Sequence, residues 1–249
     1  MEPPTLQQRL ADRARPHAPV VLHQRWEQLL FLHWRWDAAR VQATLPPGLF
    51  VDTFEGDAWL GLVPLFMRGV RPPVVPEIPI MSDFLELNLR TYVYDGLGRP
   101  GLYFYSLDCD QPLAVETAKR LLHLRYEHAA MTANVDLDGV VDFSSQRAGT
   151  TERAHFRYQA IGPGEEAKPE SLEDFLAERY RLYSSDANGE RLSTIRVCHP
   201  PYRLRAAIAF DWSDVPLRLA GFESPGRDPD HVRMADPQQV ETFPPEKVE

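Results

Sequence analysis

Glu86, Asn88, Arg90 and Tyr92 occupy every second position of one segment and offer the clearest chemistry in the sequence. Leu85, Leu87, Leu89, Thr91 and Val93 alternate with them, so a strand over 84–94 turns one face to a core. The other face carries the polar set together with Phe84 and Tyr94, its side chains roughly 7 Å apart. Antiparallel sheets commonly give such a face to water. Mixed aromatic, acidic and amide groups are, however, also the usual lining of a small-molecule pocket. In a pocket, desolvation raises the pKa of Glu86 and equips it as a general acid or base. Arg90 then binds a substrate carboxylate or simply neutralises Glu86, with Asn88 and Tyr92 as further ligand-binding groups. Tyr126 is the second catalytic candidate, a phenol able to donate a proton or polarise a carbonyl. His128 shares its face in a strand and is a ligand-binding candidate, against the plainer reading of a structural histidine.

Other chemistries are poorly supplied. Lys119, Lys168 and Lys247 are the only lysines; the first lies at the margin of a helical stripe, where its ammonium reaches solvent, and the others lie in a loop and a tail. Asp108-Cys109-Asp110, His123, Glu127 and His128 match no metal-ligand spacing, and no glycine-rich phosphate loop signals a cofactor. Cys198 and His199 are strand neighbours that point to opposite faces, which excludes a dyad.

The elements that position these residues read mainly as strands. A buried strand spans 27–36, with Trp34 and Trp36 packing in the core. Asp37 caps a short helix that Pro46-Pro47-Gly48 stops. Segments 50–54 and 58–67 flank a turn at 55–57 and suggest a hairpin. The proline-rich stretch 71–79 is a surface loop or flap. Strand 84–94 turns through 95–101 into strand 102–107, and a helix over 112–124 follows. Strands are expected at 139–146, 152–161, 192–198 and 203–211, with a solvated loop at Gly162-Pro163-Gly164. Ser171 caps a helix whose one side carries Leu172, Phe175, Leu176, Arg179, Tyr180 and Tyr183, and Arg179 is placed to form a buried ion pair with the sheet.

With 43% hydrophobic residues, 249 residues suffice for one sizeable core. The expected division is an N-terminal extension over 1–24, a single domain over 25–236 and a flexible tail over 237–249. A net charge of -9 argues against nucleic acid or an anionic membrane surface as partner. No apolar run is long enough to span a bilayer, and two cysteines without CxxC spacing, behind a polar start, indicate a reduced cytoplasmic protein. A small-molecule ligand or substrate is the expected partner, and a homo-oligomer is left open.

Several ordered blocks carry a family resemblance: His33-Trp34-Arg35-Trp36-Asp37, Leu45-Pro46-Pro47-Gly48-Leu49, Ala58-Trp59-Leu60-Gly61-Leu62-Val63-Pro64, 86–93, Tyr105-Ser106-Leu107-Asp108 and 178–183. They resemble the YqjF-like bacterial proteins of the acetoacetate decarboxylase-like superfamily, over most of 25–210. That resemblance implies an α+β, predominantly β fold: a curved mixed or antiparallel sheet closing into a cone-like barrel around a pocket, with a few flanking helices. It does not imply a reaction. The decarboxylase places a Schiff-base lysine and a second lysine where this sequence has Tyr126 and Glu127. Glu86 falls where that family has a pocket glutamate, whereas its arginine before the first long strand is unmatched, Glu27 standing there with Arg25 close by. Two main functions remain open: an enzyme acting on a small oxo-acid or carbonyl compound without a Schiff-base lysine, or a non-catalytic binding protein using the same pocket. A scaffold acting through 71–79 is a third.

Overall fold

The computed structural model describes residues 2–116, 124–185 and 192–248. The strands within them are β1 (Leu22–Glu27), β2 (Leu30–Trp36), β3 (Leu49–Val51), β4 (Ala58–Arg71), β5 (Phe84–Asp95), β6 (Pro100–Cys109), β7 (Tyr126–Val135) and β8 (Val141–Arg147). They continue with β9 (Ala154–Glu166), β10 (Arg181–Ser185), β11 (Leu192–Cys198), β12 (Arg203–Asp211), β13 (His231–Ala235), β14 (Gln238–Thr242) and β15 (Glu246–Lys247). Twelve of them pair into a ring, in the order β4, β1, β14, β11, β10, β6, β7, β8, β9, β12, β13, β2 and back to β4. The sheet is mixed, because β6 runs parallel to both β7 and β10. Short helices flank it, among them Leu6–Ala11, Ala38–Gln42, Leu172–Ala177 and Val215–Leu219. No helix among the described residues is long and apolar enough to cross a membrane.

β5 divides the ring, because it pairs with β4 on one side and β6 on the other. Both its faces are therefore covered. Leu85, Leu87 and Leu89 join Leu30, Leu32, Trp34, Leu60, Phe143 and Phe156 in the larger core. The opposite face meets two smaller clusters built on Val63, Leu65 and Met67 and on Phe104, Leu107 and Phe175. β4 is buried on both faces from Ala58 to Met67, which explains its unbroken apolar run. Pro64 interrupts no ladder at β4's other edge. That edge passes from β2, paired through Leu62, to β1, paired from Phe66.

The same junction corrects the single strand expected over 27–36. Gln28 adopts a φ of 52°, so the chain breaks into β1 and β2 and lays them along successive halves of β4. The hairpin expected around 55–57 closes only by a Phe54–Asp57 bridge, and β3 pairs with β5 instead. Gly162-Pro163-Gly164 is a bulge within β9 rather than a loop, since β12 pairs on both sides of it and shifts register there. The helix capped by Ser171 leaves helical geometry at Glu178, so Arg179 and Tyr180 follow the helix and Tyr183 lies on β10. Of the helix expected over 112–124, residues 112–116 are helical and 117–123, including Lys119 and His123, lie outside the described residues.

Both chain ends are tied to the ring. β14 joins β1 to β11, and Phe243 just beyond it is buried. From the N-terminal segment, Arg9 donates two hydrogen bonds, of 2.6 and 2.7 Å, to the fully buried Asp52. Asp12 pairs with Arg181 at 2.9 Å. Arg179 reaches the same Asp52 at 3.0 Å, forming the ion pair expected of it. Removing Asp52 would strand the buried Arg179 guanidinium. Asp52→Ala is therefore expected to cost about 3–5 kcal/mol in urea unfolding, and Arg9→Ala distinctly less, because Arg9 lies nearer solvent.

Candidate functional site

The polar face of β5 does not meet solvent. Glu86, Asn88 and Arg90 are each less than 10% exposed and line a cavity of about 100 Å³. Val63, Leu65 and Met67 of β4 form one wall of it and Phe104 and Leu107 of β6 another, with Tyr126 at the start of β7 and Arg179 also facing in. The alternation visible in the sequence thus turns the polar side chains inward, because β4 and β6 hold β5 inside the ring.

Tyr126 donates a hydrogen bond of 2.6 Å to Oε2 of Glu86. Burial is the main influence on Glu86 and pushes its pKa up to about 7, against the opposing hydrogen bonds from Tyr126 and Asn88. Burial, and then the adjacent Glu86, hold the Tyr126 phenol well above its ordinary value. Near neutrality the carboxyl therefore exchanges its proton while the phenol keeps its own. Such a pair can accept a proton at Glu86 and offer a hydrogen bond from Tyr126.

Farther along the face, Arg90 donates to the carbonyl of Leu176 at 3.2 Å, and its guanidinium lies 5.2 Å from the centre of the Phe31 ring. No ion pair links it to Glu86 among the described residues. Arg90 Nε, Asn88 Oδ1 and Arg179 Nη2 are buried without a hydrogen-bond partner. Unpaired buried polar atoms are costly, and these three, together with Trp26 Nε1, belong to residues that line one cavity.

The other expected site residues lie elsewhere. Tyr92 is fully buried behind the cavity, its hydroxyl donating to Leu176 O at 2.8 Å and standing 2.7 Å from His33 Nε2. His128 sits near the surface with Nε2 3.3 Å from Glu116. Tyr126 pairs with Leu107, which lines the cavity, but His128 pairs with Cys109, beyond it. Asp108 binds Arg147, and Asp110 accepts from the Leu85 backbone. No trio of metal-ligating residues gathers among the described residues. His199 stacks on Tyr180 at 4.5 Å, while Trp34 and Trp36 pack in the larger core.

Sequence patterns do not place Arg179 in the cavity wall, nor do they reveal the buried pair His33 and His231, whose Nδ1 atoms are 3.0 Å apart. A histidine within the apolar run 29–34 is the available signal for His33, but its partner is 198 positions away. Gly61 makes the room, since a Cβ there would come within 2.8 Å of the His33 ring.

The raised pKa of Glu86 gives a measurable pH dependence. Between its ordinary value of 4.5 and about 7, the native state holds a proton that the unfolded chain has released. Stability is therefore lost as pH rises through that window, and no more is lost above it. Glu86→Gln removes this component, so the difference in urea midpoint between variant and parent shifts in the variant's favour from pH 4.5 to 7. Tyr126→Phe deletes a hydrogen bond that favours the carboxylate, and NMR titration is expected to find Glu86 above 7 in that variant.

Comparison with known proteins matches this architecture. The DUF2071 family, described as an uncharacterized conserved protein, matches residues 23–239. Uncharacterized protein YqjF of Bacillus subtilis (strain 168) is 36% identical over 215 residues, covering 86% of this chain and 87% of that one. Acetoacetate decarboxylase from Legionella pneumophila superposes with a TM-score of 0.63 at 11% identity, over 95% of this chain and 91% of its own. The enduracididine biosynthesis enzyme MppR, complexed with pyruvate, does so with a TM-score of 0.61 at 14% identity, over 93% and 91%. At such identities the two structures establish the fold and leave the chemistry to the residues of each cavity. The chain belongs to the DUF2071 family and has the acetoacetate decarboxylase-like fold.

Proposed function

We propose that this protein is an enzyme that moves a proton on a small oxo-acid or related carbonyl compound, using Glu86 as acid and base and Tyr126 as hydrogen-bond donor, without a Schiff-base lysine. The observation that carries the reading is the buried Tyr126–Glu86 pair, in which burial raises the carboxyl to a pKa of about 7 in the wall of a small cavity. A catalytic base works best with a pKa near the working pH, and strongly perturbed groups in cavities mark functional sites. The unpartnered Arg90 Nε suits a carboxylate. A neighbour of this fold, MppR, binds pyruvate, and this favours the same substrate class. No lysine is among the described residues lining the cavity.

In the step envisaged, the Glu86 carboxylate takes a proton from the carbon beside the carbonyl. The C–H electron pair moves into an enolate, and its oxygen accepts a hydrogen bond from Tyr126. The proton then returns to carbon from the Glu86 carboxylic acid, so no redox partner is needed.

Pyruvate, 2-oxobutanoate and acetoacetate in D2O, followed by proton NMR, test this directly. Exchange at the carbon beside the carbonyl is expected to rise with pH through about 7 and then level off, as a base of that pKa requires. Glu86→Gln is expected to slow it by about 10²–10⁴-fold. Equal rates in parent and variant would remove Glu86 from the role, and a retained ligand that never exchanges would favour a binding protein instead.

A further inference from the structure

A second hollow adjoins the first on the outer side of Tyr126. It is an apolar cleft of about 670 Å³ beside the proline-rich segment 71–79, with Val70, Val75, Ile78, Phe84 and Leu113 among its walls. Leu22, Gln24, Met67 and Tyr126 belong to the walls of both hollows, so the two meet at a shared neck. Around the cleft, apolar side chains stand unusually open, with Val75 at 37%, Ile78 at 45%, Met81 at 46% and Leu113 at 54% exposure. Apolar surface gathered in this way marks a place where something apolar binds.

β5 fixes the order of the groups from outside to inside. Its ladder with β4 pairs Phe84 with Met67, Glu86 with Leu65, Asn88 with Val63 and Arg90 with Gly61. One strand face therefore runs from an apolar wall, past the Tyr126–Glu86 pair at the neck, to an amide and a guanidinium, in steps of roughly 7 Å. A ligand matching that order has a polar, anionic head inside the neck and a hydrocarbon end outside it.

We infer that the site takes an amphipathic oxo-acid, with its oxo-acid head in the inner chamber between the Tyr126–Glu86 pair and Arg90, and an unbranched hydrocarbon tail in the cleft beside 71–79. The placement of the head group rests on the acid–base reading above; the tail rests on the cleft alone. The inner cavity is too small for more than a few heavy atoms beyond the head group, whereas the cleft has the size of ordinary ligand sites.

Calorimetric titration of the full chain with straight-chain 2-oxo acids, from pyruvate to 2-oxodecanoate, tests the inference. Each methylene entering an apolar cleft is expected to tighten Kd about fourfold until the cleft is filled. Ile78→Asp and Leu113→Asp, both at half-exposed positions that a charge can occupy without unfolding the chain, are expected to flatten the series. A Kd independent of chain length in the unaltered protein overturns the inference without recourse to any variant. Self-association that Ile78→Asp abolishes, beside a flat series, assigns the cleft to a second copy of the chain and also overturns it. The two readings fail separately. Affinity that grows with chain length, with no exchange in any member, keeps the tail site and removes the acid–base role. Exchange lost in Glu86→Gln beside a flat series does the reverse.

Discussion

β5 has no side on which to meet water, and most of the architecture answers to that constraint. A strand paired on both edges inside a closed ring must bury both faces. Hydrocarbon satisfies the leucine face. The other face carries a carboxyl, an amide, a guanidinium and a phenol, each of which loses hydration on burial and needs a partner. Tyr126 serves Glu86, Leu176 O serves both Arg90 and Tyr92, and His33 serves Tyr92. What the protein leaves unserved, Asn88 Oδ1 and Arg90 Nε, faces the same small cavity. The pKa of Glu86 follows from the same constraint, because a carboxylate with two hydrogen bonds and no adjacent cation is only partly compensated for the water it has lost.

The carbonyl of Leu176 is held in place by ion pairs around its helix. It closes the helix Leu172–Ala177, and the residues around that helix are pinned by Arg13 on Asp174, by Arg179 on Asp52 and by Arg181 on Asp12. The N-terminal segment supplies a partner to two of these three pairs. Buried ion pairs contribute little net stability relative to apolar replacements, but breaking one is costly and their geometry is directional. Their effect here is to specify where the back wall of the cavity stands, and with it the direction of Arg90.

The shared fold explains why a cavity exists, and it says little about what happens inside. An acetoacetate decarboxylase superposes on nearly the whole chain at 11% identity, so the fold persists with few residues shared. A phenol and a carboxylic acid at the neck of this cavity suit proton transfer to and from carbon. An amine would instead suit an imine mechanism. The apolar cleft outside the neck adds a dimension that the inner cavity lacks, since Tyr126 stands between the chamber that holds Asn88 and Arg90 and a hydrocarbon wall.

Much of this is legible in the order of the residues. The alternation 85–93, the caps at Asp37 and Ser171, the proline-rich loop and the blocks that resemble YqjF-like proteins are local patterns, and local patterns depend on neighbours in sequence. For the same reason Glu86 and Tyr126 stand out as chemistry-bearing residues. Their hydrogen bond does not, because it depends on a parallel pairing of β6 and β7 that no periodicity encodes. The tertiary structure alone decided that the polar face of β5 is buried, that Pro64 is harmless, that His128 lies beyond the cavity while Arg179 lines it, and that 238–242 closes the ring. Each of these is a question of which distant segment lies alongside, and a sequence specifies that only through the summed packing of the whole chain.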